Sequence, residues 1–243
     1  MALLDNENKF TPNSAATEPK QPFSLRACAD ACMQPTVLVL ALIKVAGAMA
    51  MSVWHSTFYG GVAQADFGID IQQLGLLTSY MGLLAMLTQV SGLVKYVTVN
   101  YDDRSINTAI GLLLALVFFA VAPIAFAGKD VPVLVLGYTT NMASLQFLVL
   151  LLPITACFTI VRSISTAQFT KCVSRSHAGT IIGVDMAIGS AVRIVSPFIG
   201  ASIEADGGLA GISTLCSGLC ILMAAFSAVL MGSNEQQIKS KSS

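Results

Sequence analysis

The sequence predicts an all-α fold class, a polytopic membrane protein whose six transmembrane helices form a single domain. Three observations carry that expectation. Apolar residues make up 55% of the 243 residues and charged residues only 11%, where a soluble domain keeps about a quarter charged. The apolar residues fall into six runs, each longer than roughly 20 residues, enough at about 1.5 Å per residue to cross a hydrocarbon core of about 30 Å. The loops between the runs alternate in character, with basic residues returning to every second one. Two rival classes fail on the same grounds. A membrane barrel needs stretches of about ten residues in strict alternation, which these runs lack. A soluble bundle of this length has too little interior to hide six helices that are apolar on nearly every face.

In chain order, residues 1–33 are polar and are expected to form a disordered cytoplasmic tail. No apolar core follows a basic start there, so no cleavable signal peptide is expected. The transmembrane domain follows over 34–232, with spans at 35–59, 73–97, 105–127, 145–170, 179–203 and 207–232. Helices are the expected form because lipid offers no partner to an open backbone. Residues 233–243 are expected as a second cytoplasmic tail. With the N terminus in the cytoplasm, Lys20, Arg26, Lys95, Arg104, Lys171, Arg175, Lys239 and Lys241 share its side. Lys129 falls in an opposite loop, among Asp66, Asp70, Asp130, Glu204 and Asp206. This basic bias places both termini in the cytoplasm, and an even number of crossings agrees.

Four ionisable side chains fall inside the spans or on their inner shoulders: Lys44, Arg162, Asp185 and Arg193. A charge at the centre of a span costs about 2.5–3.5 kcal/mol even on the lenient insertion scale, so each needs a partner, a cavity or a route to the interface. Lys44 lies about 15 Å into the first span, near the midplane. Its possible roles are lining a polar cavity for a solute or coupling ion, pairing with a neighbouring helix, or snorkelling. Arg162 and Asp185 occupy the inner parts of two spans joined by the short loop KCVSRSHA. Antiparallel neighbours at one depth make them a candidate ion pair, either a gate clasp or a static bridge. Arg193 lies two turns beyond Asp185 and roughly 80° round the helix, so it needs the carbonyls of another helix, a cavity or an anionic ligand. Asp185 is protonatable and is where solute movement could couple to protons.

The fifth span is also rich in small residues, and its Gly179 and Gly183 make a GxxxG step that permits close helix contact. Pro197 removes a backbone donor and is expected to loosen the helix between Ser196 and Gly200, a gating hinge beside Arg193. Pro123 and Pro153 mark further kinks. On the outer part of the first span His55 and Tyr59 share a face, a candidate lining for the outer mouth with His55 as its proton-handling group. Trp54 and Tyr59 read as an interfacial aromatic belt. Gln89, Asn107, Gln146 and Gln168 are candidates to line a path or link helices. The six cysteines, Cys28, Cys32, Cys157, Cys172, Cys216 and Cys220, lack zinc-site spacing and read as small apolar fillers. With no phosphate-binding loop, nucleophile elbow or HExxH sequence, no enzymatic reaction, cofactor or metal is expected. Thirteen basic and thirteen acidic residues cancel, leaving no field to attract nucleic acid.

The stretch HAGTIIGVDMAIGSAVRIVSPFIGA resembles the eleventh transmembrane helix of major facilitator superfamily transporters, and RSISTAQFTKCVSR before it resembles the end of their tenth. LALIKVAGAMAMSVWHSTF and QQLGLLTSYMGLLAMLTQVSGLV look like their seventh and eighth helices. Residues 34–232 are therefore similar to the C-terminal six-helix half of that fold, nearest to organic-cation-transporter-like carriers and tetracycline/proton antiporters. The resemblance implies alternating access for a small organic solute, cationic or amphiphilic, exchanged for protons. It places Lys44, His55, Arg162, Asp185 and Arg193 in or near the central path or its gates. The implied partners are the solute, protons, the bilayer, and a second six-helix half or a second copy, since one half must rock against another. Three accounts of the length are open: part of a longer carrier, a half that pairs, or a membrane interaction or assembly protein with no path. One departure from the superfamily falls in the loop GLVKYVTVNYDDR. Gly92 is present, Tyr96 stands where its short G-x-x-x-D-R signature expects an acidic residue, and Asp102, Asp103 and Arg104 come late.

Overall fold

Each apolar run is helical in the computed structural model, which describes residues 33, 35–62, 69–128, 132–135, 138–171 and 178–242. Helix α1 (Pro35–Thr57) runs into a π-helical turn at Phe58–Val62. Helix α2 (Ile71–Val90) starts at a capping box: the Asp70 carboxylate accepts from the Ile71 amide at 2.7 Å, and the Gln73 side chain accepts from the Asp70 amide at 3.1 Å. The expected second span is shorter than its apolar run because the chain turns at Ser91–Gly92 and continues as a separate, exposed helix α3 (Leu93–Asn100). Helix α4 (Asp103–Gly128) follows. Its loop holds a departure from the all-helical expectation, an antiparallel hairpin of β1 (Pro132–Val135) and β2 (Tyr138–Asn141). Helix α5 (Met142–Lys171) leads to α6 (Ala178–Ser242), which continues through the residues expected as a C-terminal tail.

Among the described residues five helices, α1, α2, α4, α5 and α6, are long and apolar enough to cross a membrane. The fifth and sixth expected runs are both inside α6, whose apolar stretch Gly179–Val229 covers 51 residues. A straight helix of that length would reach about 76 Å, more than twice a bilayer core. It is not straight. Gly208 breaks it with φ 53 and ψ −149, a backbone that a side chain would strain. Beyond the break the chain folds back, since a Cβ at Gly211 would stand 3.0 Å from Ile203 Cγ2, whereas eight residues of straight helix span about 12 Å. The two arms lie on α1 in opposite directions. Along the first arm Asp185 meets Lys44 and Gly200 meets Thr57. Along the second Cys216 meets Ala50 and Met223 meets Gly47.

Packing in lipid relies on close contact and polar links more than on water exclusion. Gly200 lets the first arm approach Thr57 so closely that any side chain there would collide. The close contact that the GxxxG step permits is not used among the described residues, where Gly179 and Gly183 have no atom within 4 Å of an added Cβ. Trp54 is 2% exposed, which overturns its reading as a belt residue. It instead centres an aromatic cluster with Phe58, Phe118 and Phe147 at ring separations of 5.4 to 5.8 Å, each such pair worth about 0.5–1.5 kcal/mol. The Tyr59 side chain lies outside the described residues. Cys157, Cys216 and Cys220 are free and buried in the same core, as fillers should be; the other three cysteines lie outside the described residues. Polar links cross the helices where Ser217 donates to the Ala115 carbonyl at 2.9 Å and Cys216 to the Ala50 carbonyl at 3.4 Å.

The bundle is unevenly filled. Only 17% of the most apolar stretch of α2 is buried, against 44% to 50% in the other four helices. The first arm of α6 likewise exposes Met186, Ile194 and Phe198.

Candidate functional site

Depth along each helix brings three charges to one level. Lys44 sits nine residues into α1, Asp185 seven residues into α6 and Arg162 nine residues before the end of α5, so all three lie about 10–14 Å from the same end of the bundle. Lys44 and Asp185 form a salt bridge through Nζ and Oδ1, with side chains 13% and 7% exposed. The other oxygen of Asp185 accepts from Thr166 Oγ1 at 3.3 Å. The Lys44 ammonium also lies 5.7 Å from the centre of the Phe169 ring, near enough for a cation–π attraction.

This arrangement corrects the expected Arg162–Asp185 pair. The residue on α5 that reaches Asp185 is Thr166, one turn beyond Arg162, and the carboxylate takes Lys44 as its ion partner. The Arg162 guanidinium still acts on Lys44 as a like charge. Thr159, Arg162, Ser163 and Thr166 follow helical i, i+3, i+4, i+7 spacing and so share a face. That face and Ala85 and Gln89 of α2 line a groove of about 520 Å³. On the terminal side of the pair, Val37, Leu40, Phe169 and Ile181 pack into a small buried apolar cluster. The pair is thus sealed from the nearer end of the bundle.

The same end is tied together by polar contacts. Lys171 bridges to Asp103 at 3.3 Å. Arg104 donates to the Ala228 carbonyl, and Ser227 Oγ donates to the Arg104 carbonyl at 3.2 Å. Buried Asn107 and Gln168 link α4 to α5 at 3.4 Å, one of the helix-linking roles open to them from sequence. The late Asp103 and Arg104 of the loop are therefore cross-helix ties.

The remaining candidates stand apart. His55 is half-buried eleven residues along α1 from Lys44, about 16 Å away, and joins neither the pair nor the groove. Arg193 is exposed on the first arm of α6, on the side that carries Ile194 and Phe198. Pro197 is exposed too and lies within continuous helix, while the break in α6 falls at Gly208. Pro123 and Pro153 also lie within continuous helices. Thr166 and Phe169 were missed from sequence, although Thr166, four residues after Arg162, carried a readable signal. Among the described residues no group of three His, Cys, Asp or Glu side chains gathers to hold a metal.

The chain matches no family model, no curated protein and no solved structure.

Proposed function

We propose that the chain is a transporter domain, one six-helix half of a major-facilitator-type carrier, which moves a small amphiphilic organic solute by alternating access. The observation that carries this reading is the Lys44–Asp185–Thr166 cluster, held with Arg162 beside a polar groove at the depth of the apolar helices. Ionisable groups at such depth are costly and are by default functional. The break at Gly208 supports six crossings, because each arm of α6 is long enough to span. The basic bias of the sequence supports both termini in the cytoplasm. The exposed faces of α2 and of the first arm of α6 supply a surface for a second half or a second copy, which alternating access requires. Asp185, already shared between a cation and a hydroxyl, is the group at which a proton would couple to the solute.

The test is flux across liposomes holding the full chain, alone and together with a complementary six-helix half, with K44M as the control. Solute or proton movement that K44M abolishes, with the variant still folded, is the expected result. A chain that supports no flux under either condition, yet keeps a stable partner, would be an assembly protein with no path.

A further inference from the structure

Building on that carrier reading, we infer that the groove between α2 and α5 binds the anionic head of its solute, a carboxylate, sulfonate or phosphate, with Arg162 as the counter-charge. The charge balance of the site leads there. Asp185 is satisfied by Lys44 and by the Thr166 hydroxyl, and among the described residues no carboxylate forms an ion pair with Arg162. Among the described residues at this level two cations face one carboxylate, which Lys44 takes, so the charge of Arg162 is left over. A cationic solute entering the groove would meet that surplus with the carboxylate already engaged, the reverse of what the organic-cation resemblance implies.

A second arginine-lined hollow provides the contrast. Near Arg104 a space of about 450 Å³ is lined by Ser105, Thr108 and Ala228, but there the guanidinium donates to the Ala228 carbonyl. Among the described residues the Arg162 guanidinium has no such tie, and its planar fork suits two oxygens of one anion. Gln89 lines the groove with it and can turn its amide toward an oxyanion, whereas the hydroxyls of Thr159, Ser163 and Thr166 already donate to the Thr155 carbonyl, the Thr159 carbonyl and Asp185. The groove volume of about 520 Å³ lies within the usual range for small-molecule sites, about 300–1,000 Å³. A lipid headgroup presents the same chemistry as a soluble anion.

Equilibrium binding to the full chain in phosphatidylcholine nanodiscs tests this, using benzoate, benzenesulfonate and phenyl phosphate beside benzylammonium and benzamide. At least one anion should bind saturably, and R162M should weaken it roughly tenfold to a hundredfold. R162K should recover much of the loss, and benzamide should be unaffected. If R162M does not stay monodisperse, Q89L, which keeps Arg162, should still weaken the anion severalfold. The assignment is overturned if none of the three anions binds saturably, if benzylammonium binds more tightly, or if R162M leaves anion binding unchanged. Repeating the titration with phosphatidylglycerol present names the source. Competition would assign the groove to a lipid headgroup and its absence to a soluble solute, and either result keeps the anion. Anion binding without flux would overturn the carrier reading alone. Flux of a cation without anion binding would overturn this inference alone.

Discussion

Replacing Lys44 by methionine removes the counter-charge of Asp185 while nearly keeping the side-chain volume. The Asp185 carboxylate, 7% exposed, would retain Thr166 as a hydrogen-bond donor. Removing one member of a buried pair costs about 3–5 kcal/mol. A second route gives a ceiling. A stranded carboxyl can take up a proton, and at pH 7, roughly three units above the reference value near 3.9, that costs about 1.36 kcal/mol per unit, or about 4 kcal/mol. The two routes agree on a loss of about 3–4 kcal/mol for K44M at pH 7. At pH 5 the ceiling falls to about 1.5 kcal/mol, so the defect of the variant should shrink as pH falls. D185L should cost less, because the Lys44 side chain is 13% exposed against 7% for Asp185 and a long aliphatic stem lets its ammonium reach toward water. The double variant K44M/D185L holds neither charge and should return to within about 1 kcal/mol of the parent, or exceed it. Unfolding in mixed micelles, run as a thermodynamic cycle at the two pH values, reads all of these terms. If the single changes cost less than about 1 kcal/mol, add in the double variant and ignore pH, the pair is hydrated and the argument from burial fails.

Gly200→Val should destabilise the chain by about 1–3 kcal/mol in the same assay through overpacking against Thr57, whereas Gly183→Ala, with open space at its Cβ, should be neutral or slightly stabilising. Gly208→Ala should cost about 1–3 kcal/mol, because φ 53 with ψ −149 strains any side chain; an unchanged midpoint would mean that the reversal does not sit there. Cys157, Cys216 and Cys220 should resist a maleimide until the protein is unfolded, with rapid modification of the folded chain counting against the buried core. In a chain with those cysteines replaced, Leu76→Cys and Phe198→Cys should react with a lipid-soluble maleimide and become protected when a complementary half is added; no protection would remove the exposed faces as its contact surface.

The spans were legible because depth and length follow from counting apolar residues at a fixed rise. What counting does not give is where the backbone leaves the helix inside a polar-poor stretch. Ser91–Gly92 ends α2 within an apolar run, and no composition change marks it. Gly207 and Gly208 differ by one position, yet the second of them carries the reversal. The prolines do not end the helices that hold them. Pro197, Pro123 and Pro153 each lack a donor, but neighbouring contacts in a bundle can satisfy the freed carbonyl, so the helices continue. Trp54 was placed at an interface on residue type alone. Three phenylalanines brought by other turns and helices made the core the better site for it.

The charged site divides along the same line between depth and rotation. Sequence places Arg162 and Asp185 at one level and Lys44 near the midplane but does not state which face each helix turns to which neighbour, since one residue changes direction by about 100°. Chain order favoured Arg162 for Asp185 because a short loop joins their helices. The first arm of α6 instead follows α1 from Lys44 to Thr57, and α5 reaches it at Thr166. That choice of partner decides the chemistry left over. Pairing Arg162 with Asp185 would have stranded an ammonium on α1, a strongly hydrated point charge. Pairing Lys44 with Asp185 leaves the more weakly hydrated guanidinium uncommitted, with a fork suited to two oxygens, on the face that lines the groove.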